Sequence, residues 1–240
     1  DLSGFALGAS KGKIAYIHAG DVWVISADGS ENKQLTNFGD CAYPAWSPDA
    51  EKIAFLRGES LWVMSADGGN PLRISVDADA AERPAFIPGG GIAFGSLDRK
   101  AILAVPLEGG SLRVLSRGAP YAWRPSFPAA GNFLVFFSGN HQEGRVTRAP
   151  YEPSSSLPAP AKKLTAFPSS YPSVSRDGKK IAFIRDGSLW VMNADGSKPA
   201  LLLKALSFSI KMPSFSPDGK EIAFRKESGK GFSIEALDLS

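Results

Sequence analysis

The chain has 240 residues, 43% hydrophobic and 21% charged, with 25 glycines, 18 prolines and 15 phenylalanines, a globular composition rich in turn formers that excludes intrinsic disorder. Its net charge of +3, from 27 basic and 24 acidic residues, comes without any long block of like charges, so bulk nucleic-acid binding is not indicated. The longest apolar runs, such as Phe-Leu-Val-Phe-Phe at 133–137, fall far short of the ~20 residues a membrane-spanning helix needs.

Cys41 is the single cysteine, so an internal disulfide and a thiolate zinc cluster are both excluded. The chain opens at Asp1 with neither a basic segment nor a long apolar one behind it, and it is expected to be a mature or truncated piece. At this length about 70–75% of the unfolded chain's surface can be buried, which leaves no need for staples.

Internal repetition decides the fold. An apolar triplet starts at Ile14, Ile53, Ile92, Leu134, Ile181 and Ile222, five steps from 14 to 222 that average just under 42 residues. In chain order the units are about 4–40, 41–80, 81–121, 122–168, 169–209 and 210–240, together a single domain over 1–240. The first aligns without a gap from residue 4 and keeps an innermost strand, although it lacks the x-Pro element found later at Pro44, Pro84, Pro125, Pro172 and Pro213. The second carries Lys-Ile-Ala-Phe at 52–55 and Leu-Trp-Val-Met-Ser-Ala-Asp-Gly at 61–68. Units three and four depart from the turn pattern at 87–91 and 127–131, and unit four has the main insertion, 149–161, whose four prolines mark a surface loop.

The fifth unit shows the pattern most fully, with strands expected at 172–175, 180–184, 188–193 and 200–203. Asp-Gly at 177–178 and 195–196 stands where a hairpin needs positive φ. The sixth ends after a third strand at 232–237, and residues 1–3 are the candidates for its short fourth strand. Four short strands per unit, with a unit every 40–45 residues, specify an all-β, six-bladed propeller of four-stranded antiparallel blades, whose closure protects the sheet edges. Phe55, Phe94, Phe183 and Phe224, with Trp23, Trp62 and Trp190, recur at the blade period and are expected to pack between blades.

Pro-Ala-Trp-Ser-Pro-Asp at 44–49, Pro-Ser-Phe-Ser-Pro-Asp-Gly at 213–219 and the Leu-Trp-Val-Met-x-Ala-Asp-Gly phrases resemble the WD40-like repeats of the TolB propeller family, over essentially the whole chain. The Trp-Asp and Gly-His dipeptides of true WD40 repeats do not occur. The resemblance implies a periplasmic or otherwise extracytoplasmic module that binds a protein or ligand, or acts as a scaffold, without catalysis. Related propellers also gate serine peptidases or act as sugar lyases, so the alternative is the substrate-gating propeller of a larger hydrolase.

The residues support no chemistry of their own. Only His18 and His141 are available as bases or ligands, on roughly opposite sides of a six-fold ring, and the single Gly-x-Ser-x-Gly pentapeptide, at 8–12, falls where the repeat places a hairpin turn rather than on the strand-to-helix turn a nucleophile elbow needs. The Asp-Gly pairs have turn spacing rather than that of a calcium loop. No catalytic residue, metal or cofactor is expected.

Binding is expected on the face where the inter-blade loops and the loops after each second strand emerge. There the residues preceding the x-Pro prolines, Tyr43, Arg83, Arg124, Tyr171 and Met212, would line the channel mouth, with Arg57 and Arg185 around them. Arginine and tyrosine combine contact area with forked hydrogen bonding and suit a protein or peptide partner bearing a carboxylate. Glu59, Glu82, Asp98, Glu143, Asp186 and Glu227 fall in the same loops, so this face is mixed in charge. With edges closed and no heptad seam, a monomer is expected.

Overall fold

The computed structural model describes residues 5–7, 12–26, 28–75, 80–96, 100–116, 121–140, 142–155, 158, 160–229 and 231–240, with the backbone alone at 5–7 and 80–82. The strands form six antiparallel sheets taken in chain order, five of four strands and one of three, a six-bladed β-propeller with no helix among the described residues. Nothing among them therefore provides a helix long and apolar enough to cross a membrane.

Blade one contains Phe5–Leu7, Lys13–His18, Asp21–Ser26 and Asn32–Gln34, and blade two Cys41–Trp46, Lys52–Arg57, Ser60–Ser65 and Leu72–Ser75. Blade three contains Ala80–Phe86, Ile92–Ser96, Ala101–Val105 and Arg113–Ser116, and blade four Ala122–Ser126, Phe133–Ser138, Arg145–Pro150 and Lys162–Lys163. Blade five contains Ser170–Val174, Lys180–Arg185, Ser188–Asn193 and Ala200–Leu203, within two residues of the sequence expectation, and blade six Ser209–Phe215, Glu221–Ser228 and Gly231–Asp238. The first strand of blade one lies beside the first strand of blade six, which closes the ring. Residues 1–3, expected to complete blade six, lie outside the described residues.

Second strands read as unbroken apolar runs because both of their faces are covered. In blade two, Ile53 and Phe55 pack against Ile17, Val22 and Val24 of blade one, while Ala54 and Leu56 pack against Phe86 and Phe94 of blade three. The core is thus divided into separate layers between neighbouring blades. Each layer between blades two and six holds a second-strand phenylalanine that is at most 1% exposed: Phe94, Phe136, Phe183 and Phe224. Burying one such ring contributes ~1.5–3 kcal/mol. The tryptophans are only half-buried, at the rim of the same layers, where Trp62 and Trp190 stack on Phe55 and Phe183 with ring centroids 6.5 Å apart.

The Asp-Gly turns form as the sequence suggests. In blade five Gly178 has φ 73° and its N–H donates to Ser175 O at 2.9 Å. Blade two closes the same turn with an alanine, Ala50, held at φ 59°, and it carries the strain that glycine avoids. Blades three and four, despite their departures, close equivalent turns through Gly90 N–H to Ile87 O and Gly131 N–H to Pro128 O, both at 3.0 Å. The insertion of blade four is anchored by Arg113, which donates to Tyr151 Oη at 2.9 Å and to the carbonyl of Pro153.

Candidate binding site

The x-Pro element is a β-bulge on the innermost strand. Pairing between first and second strands slips between Ala42 and Ala45, between Trp123 and Ser126, between Ser170 and Ser173, and between Lys211 and Ser214. The residue before each of these prolines lies in the left-handed region: Tyr43 at φ 51°, Arg124 at 57°, Tyr171 at 53° and Met212 at 53°. That conformation is costly for a bulky residue and the innermost strand tolerates proline because its inner edge has no strand to pair with. A bulge re-aims the side chain it carries. All five prolines are buried, while Tyr43, Arg83, Arg124, Tyr171 and Met212 are each half-buried.

These five residues, from five successive blades, line one axial cavity of about 210 Å³. The guanidinium carbon of Arg124 lies over the Tyr171 ring, 3.5 Å from its centroid. Burial, and then the neighbouring Arg124, lower Arg83 from its ordinary range to about 10, so it is still charged at neutral pH.

The lining follows the first strands from the pre-proline positions down to the Ser-Pro turns and takes no residue from the inter-blade loops or from those after the second strands. The void therefore extends toward the Asp-Gly turn face, opposite the loop face on which the sequence places binding. Its lower part is walled by Trp46, Phe86, Phe127 and Phe215 and by Pro48, Pro88, Pro128 and Pro217, with Arg176 taking the proline's place in blade five. The spacing that builds this collar is visible in the sequence, as Pro-x-aromatic-x-Pro at 44–48, 84–88 and 213–217 and, one residue shorter, at 125–128.

Arg57 and Arg185 do not line the cavity. Each ends a second strand and covers the tryptophan of the third: Arg57 lies 4.2 Å from the Phe38 ring centroid and 5.4 Å from that of Trp62, and Arg185 lies 4.0 Å from Phe167 and 5.2 Å from Trp190. Arg57 also pairs with Asp40 at 2.9 Å. His18 makes the same contact in blade one, edge-on to Trp23 at 5.6 Å, while His141 and Asp98 lie outside the described residues and nothing is described of the Glu82 side chain.

The turn aspartates are engaged locally. Asp49, Asp177 and Asp218 each accept from the serine two residues earlier and from a backbone N–H two residues later, which holds their carboxyls below the usual range. Among the described residues no three His, Cys, Asp or Glu side chains gather as a metal site would require.

A six-bladed ring with bulged inner strands around an axial cavity defines the class: this is a propeller with the TolB-type fold. The chain is similar to TolB from Acinetobacter baumannii, at 21% identity and a TM-score of 0.79 over 97% of this chain and 62% of that one. A TolB-like protein of Agrobacterium tumefaciens matches at 17% identity and a TM-score of 0.76 over 87% and 81%, and a chain of a nidogen/laminin complex at 15% and 0.68 over 85% and 80%. At these identities the likeness is one of fold. No protein-family model and no curated protein matches the sequence.

Proposed function

We propose that the chain is a non-enzymatic, extracytoplasmic binding or scaffold module, working as a monomer, that captures a protein or peptide segment at the axis of its ring. The observation that carries this reading is the convergence of Tyr43, Arg83, Arg124, Tyr171 and Met212 on one cavity, four of them from left-handed backbone. The same strain repeated four times around an axis points to function, because an unneeded outlier would relax. The location rests on the TolB likeness in repeats and fold.

The test is capture of a partner from cell-envelope extract by the immobilised chain. Arg83→Glu and Arg124→Glu should weaken capture by ~2–5 kcal/mol if the contacts are desolvated, while Lys33→Glu and Lys198→Glu, on the outer strands and turns, should leave it unchanged. Capture indifferent to both arginines refutes the assignment.

A further inference from the structure

The axial cavity is chemically lopsided. Its inner part presents the guanidinium groups of Arg83 and Arg124, and its outer part is an apolar collar of Trp46, Phe86, Phe127 and Phe215. No Asp or Glu lines it among the described residues. Arg83 makes no ion pair among them either, and the charge acting on it is that of a second cation, Arg124. Two like charges in a partly desolvated space are unfavourable, and an anion held by both relieves the desolvation and the repulsion together. Arg176 is exposed beside the turn face, where it adds to the attraction an approaching anion experiences.

Resting on the reading of this cavity as the binding site, we propose that it takes a carboxylate carried on an apolar body the size of one or two amino-acid residues, presented from the Asp-Gly turn face. Arg83 and Arg124 share the carboxylate, and the apolar body lies against the aromatic collar. About 210 Å³ holds a side chain or two and excludes a folded domain. A phosphate dianion suits the cavity less, because toward the turn face its wall is mainly aromatic rings and prolines, the latter with no N–H to donate, and the hydroxyls of Ser47 and Ser216 there already donate to Asp49 and Asp218. The same chemistry is offered by a peptide's free C-terminus with an apolar last residue and by a free organic acid.

Titration calorimetry on the whole chain separates these, with N-acetyl-alanyl-leucine, its C-terminal amide, hexanoate and inorganic phosphate as probes. The free dipeptide acid should bind saturably and its amide at least ten-fold more weakly, a comparison made on unaltered protein. Arg83→Gln should weaken the acid at least ten-fold and leave the amide unchanged, in a variant whose circular-dichroism melt shows it folded. Tighter binding of the dipeptide than of hexanoate identifies a peptide terminus as the source, and the reverse order a free acid. Equal binding of acid and amide, binding of phosphate alone, or no acid binding by folded protein overturns the proposal. If no acid binds while Arg124→Glu still reduces partner capture, the ligand class is wrong and the binding reading stands; if capture is also unchanged, both fail.

Discussion

Asp21 is the buried charge on which the joint between blades one and two depends. It opens the third strand of blade one and is 6% exposed. Its Oδ1 accepts from the backbone N–H of Phe38 at 2.6 Å and of Gly39 at 3.1 Å and from the Thr36 hydroxyl at 2.9 Å, while Oδ2 accepts from the Gln34 amide at 3.1 Å. These bonds hold the inter-blade connection at 36–39. Hydrogen bonds to a charged group contribute ~1.5–3 kcal/mol each, and a donor left buried without an acceptor costs ~1–3 kcal/mol. The terms are not additive, and we expect Asp21→Ala to cost ~3–5 kcal/mol, a fall in Tm on the order of 10 °C at this chain length. Asp21→Ser should recover part of the loss, because blade five has Ser188 at the equivalent position and its Oγ accepts from Ala205 N–H at 3.0 Å.

The pH dependence is the sharper check. Burial raises the Asp21 carboxyl, but the bonds from Gly39, Phe38, Thr36 and Gln34 outweigh it and hold the group below its ordinary value. A group depressed in the folded state contributes stability above its unfolded pKa of ~3.9 and loses that contribution as pH falls through the folded value. Thermal melts followed by circular dichroism should therefore show the gap between parent and Asp21→Ala at full size at pH 7 and shrinking below about pH 4. A variant that melts within a degree or two of the parent at pH 7, or a gap that is constant down to pH 2, refutes the argument.

Ala50→Gly should stabilise the chain by ~0.5–1 kcal/mol, since Ala50 sits at φ 59° where the other turns have glycine; no gain in denaturation midpoint would argue against strain there. Phe183→Ala, fully buried, should cost ~3–5 kcal/mol and half-buried Trp190→Ala ~1–3 kcal/mol, so urea melts should rank the phenylalanine as the worse loss. Gly95→Ala should destabilise by ~1–3 kcal/mol or more, because its Cβ would stand 2.3 Å from the carbonyl oxygen of Ala122 in the next blade, a contact that only backbone movement can relieve. Arg57→Met and Arg185→Met should cost under ~1 kcal/mol and leave partner capture intact, since neither lines the cavity.

The blades are written in the repeat. A 42-residue period, apolar runs of strand length and glycines at fixed offsets are local properties, and each unit states them again, so an error in one unit is corrected by the next. The period also placed the phenylalanines in the core, because a repeated ring implies a repeated neighbour. It could not separate them from the tryptophans, which recur as regularly yet lie half-buried at the rim; depth within a layer is set by the adjacent blade.

The lining of the candidate cavity was legible in part for the same reason. The x-Pro repeat brought Tyr43, Arg83, Arg124, Tyr171 and Met212 to one axis because ring closure maps equivalent positions onto one circle. Which way along the axis the void extends emerges only once the blades are assembled, since it depends on how far the bulges turn the side chains and how widely the Pro-x-aromatic collars stand apart. Assembly also separates Arg57 and Arg185 from the cavity: at the end of a second strand an arginine can reach solvent or the tryptophan beside it, and the choice is made by Phe38 and Phe167, which arrive from the inter-blade connections and complete an aromatic surface that a single unit does not contain.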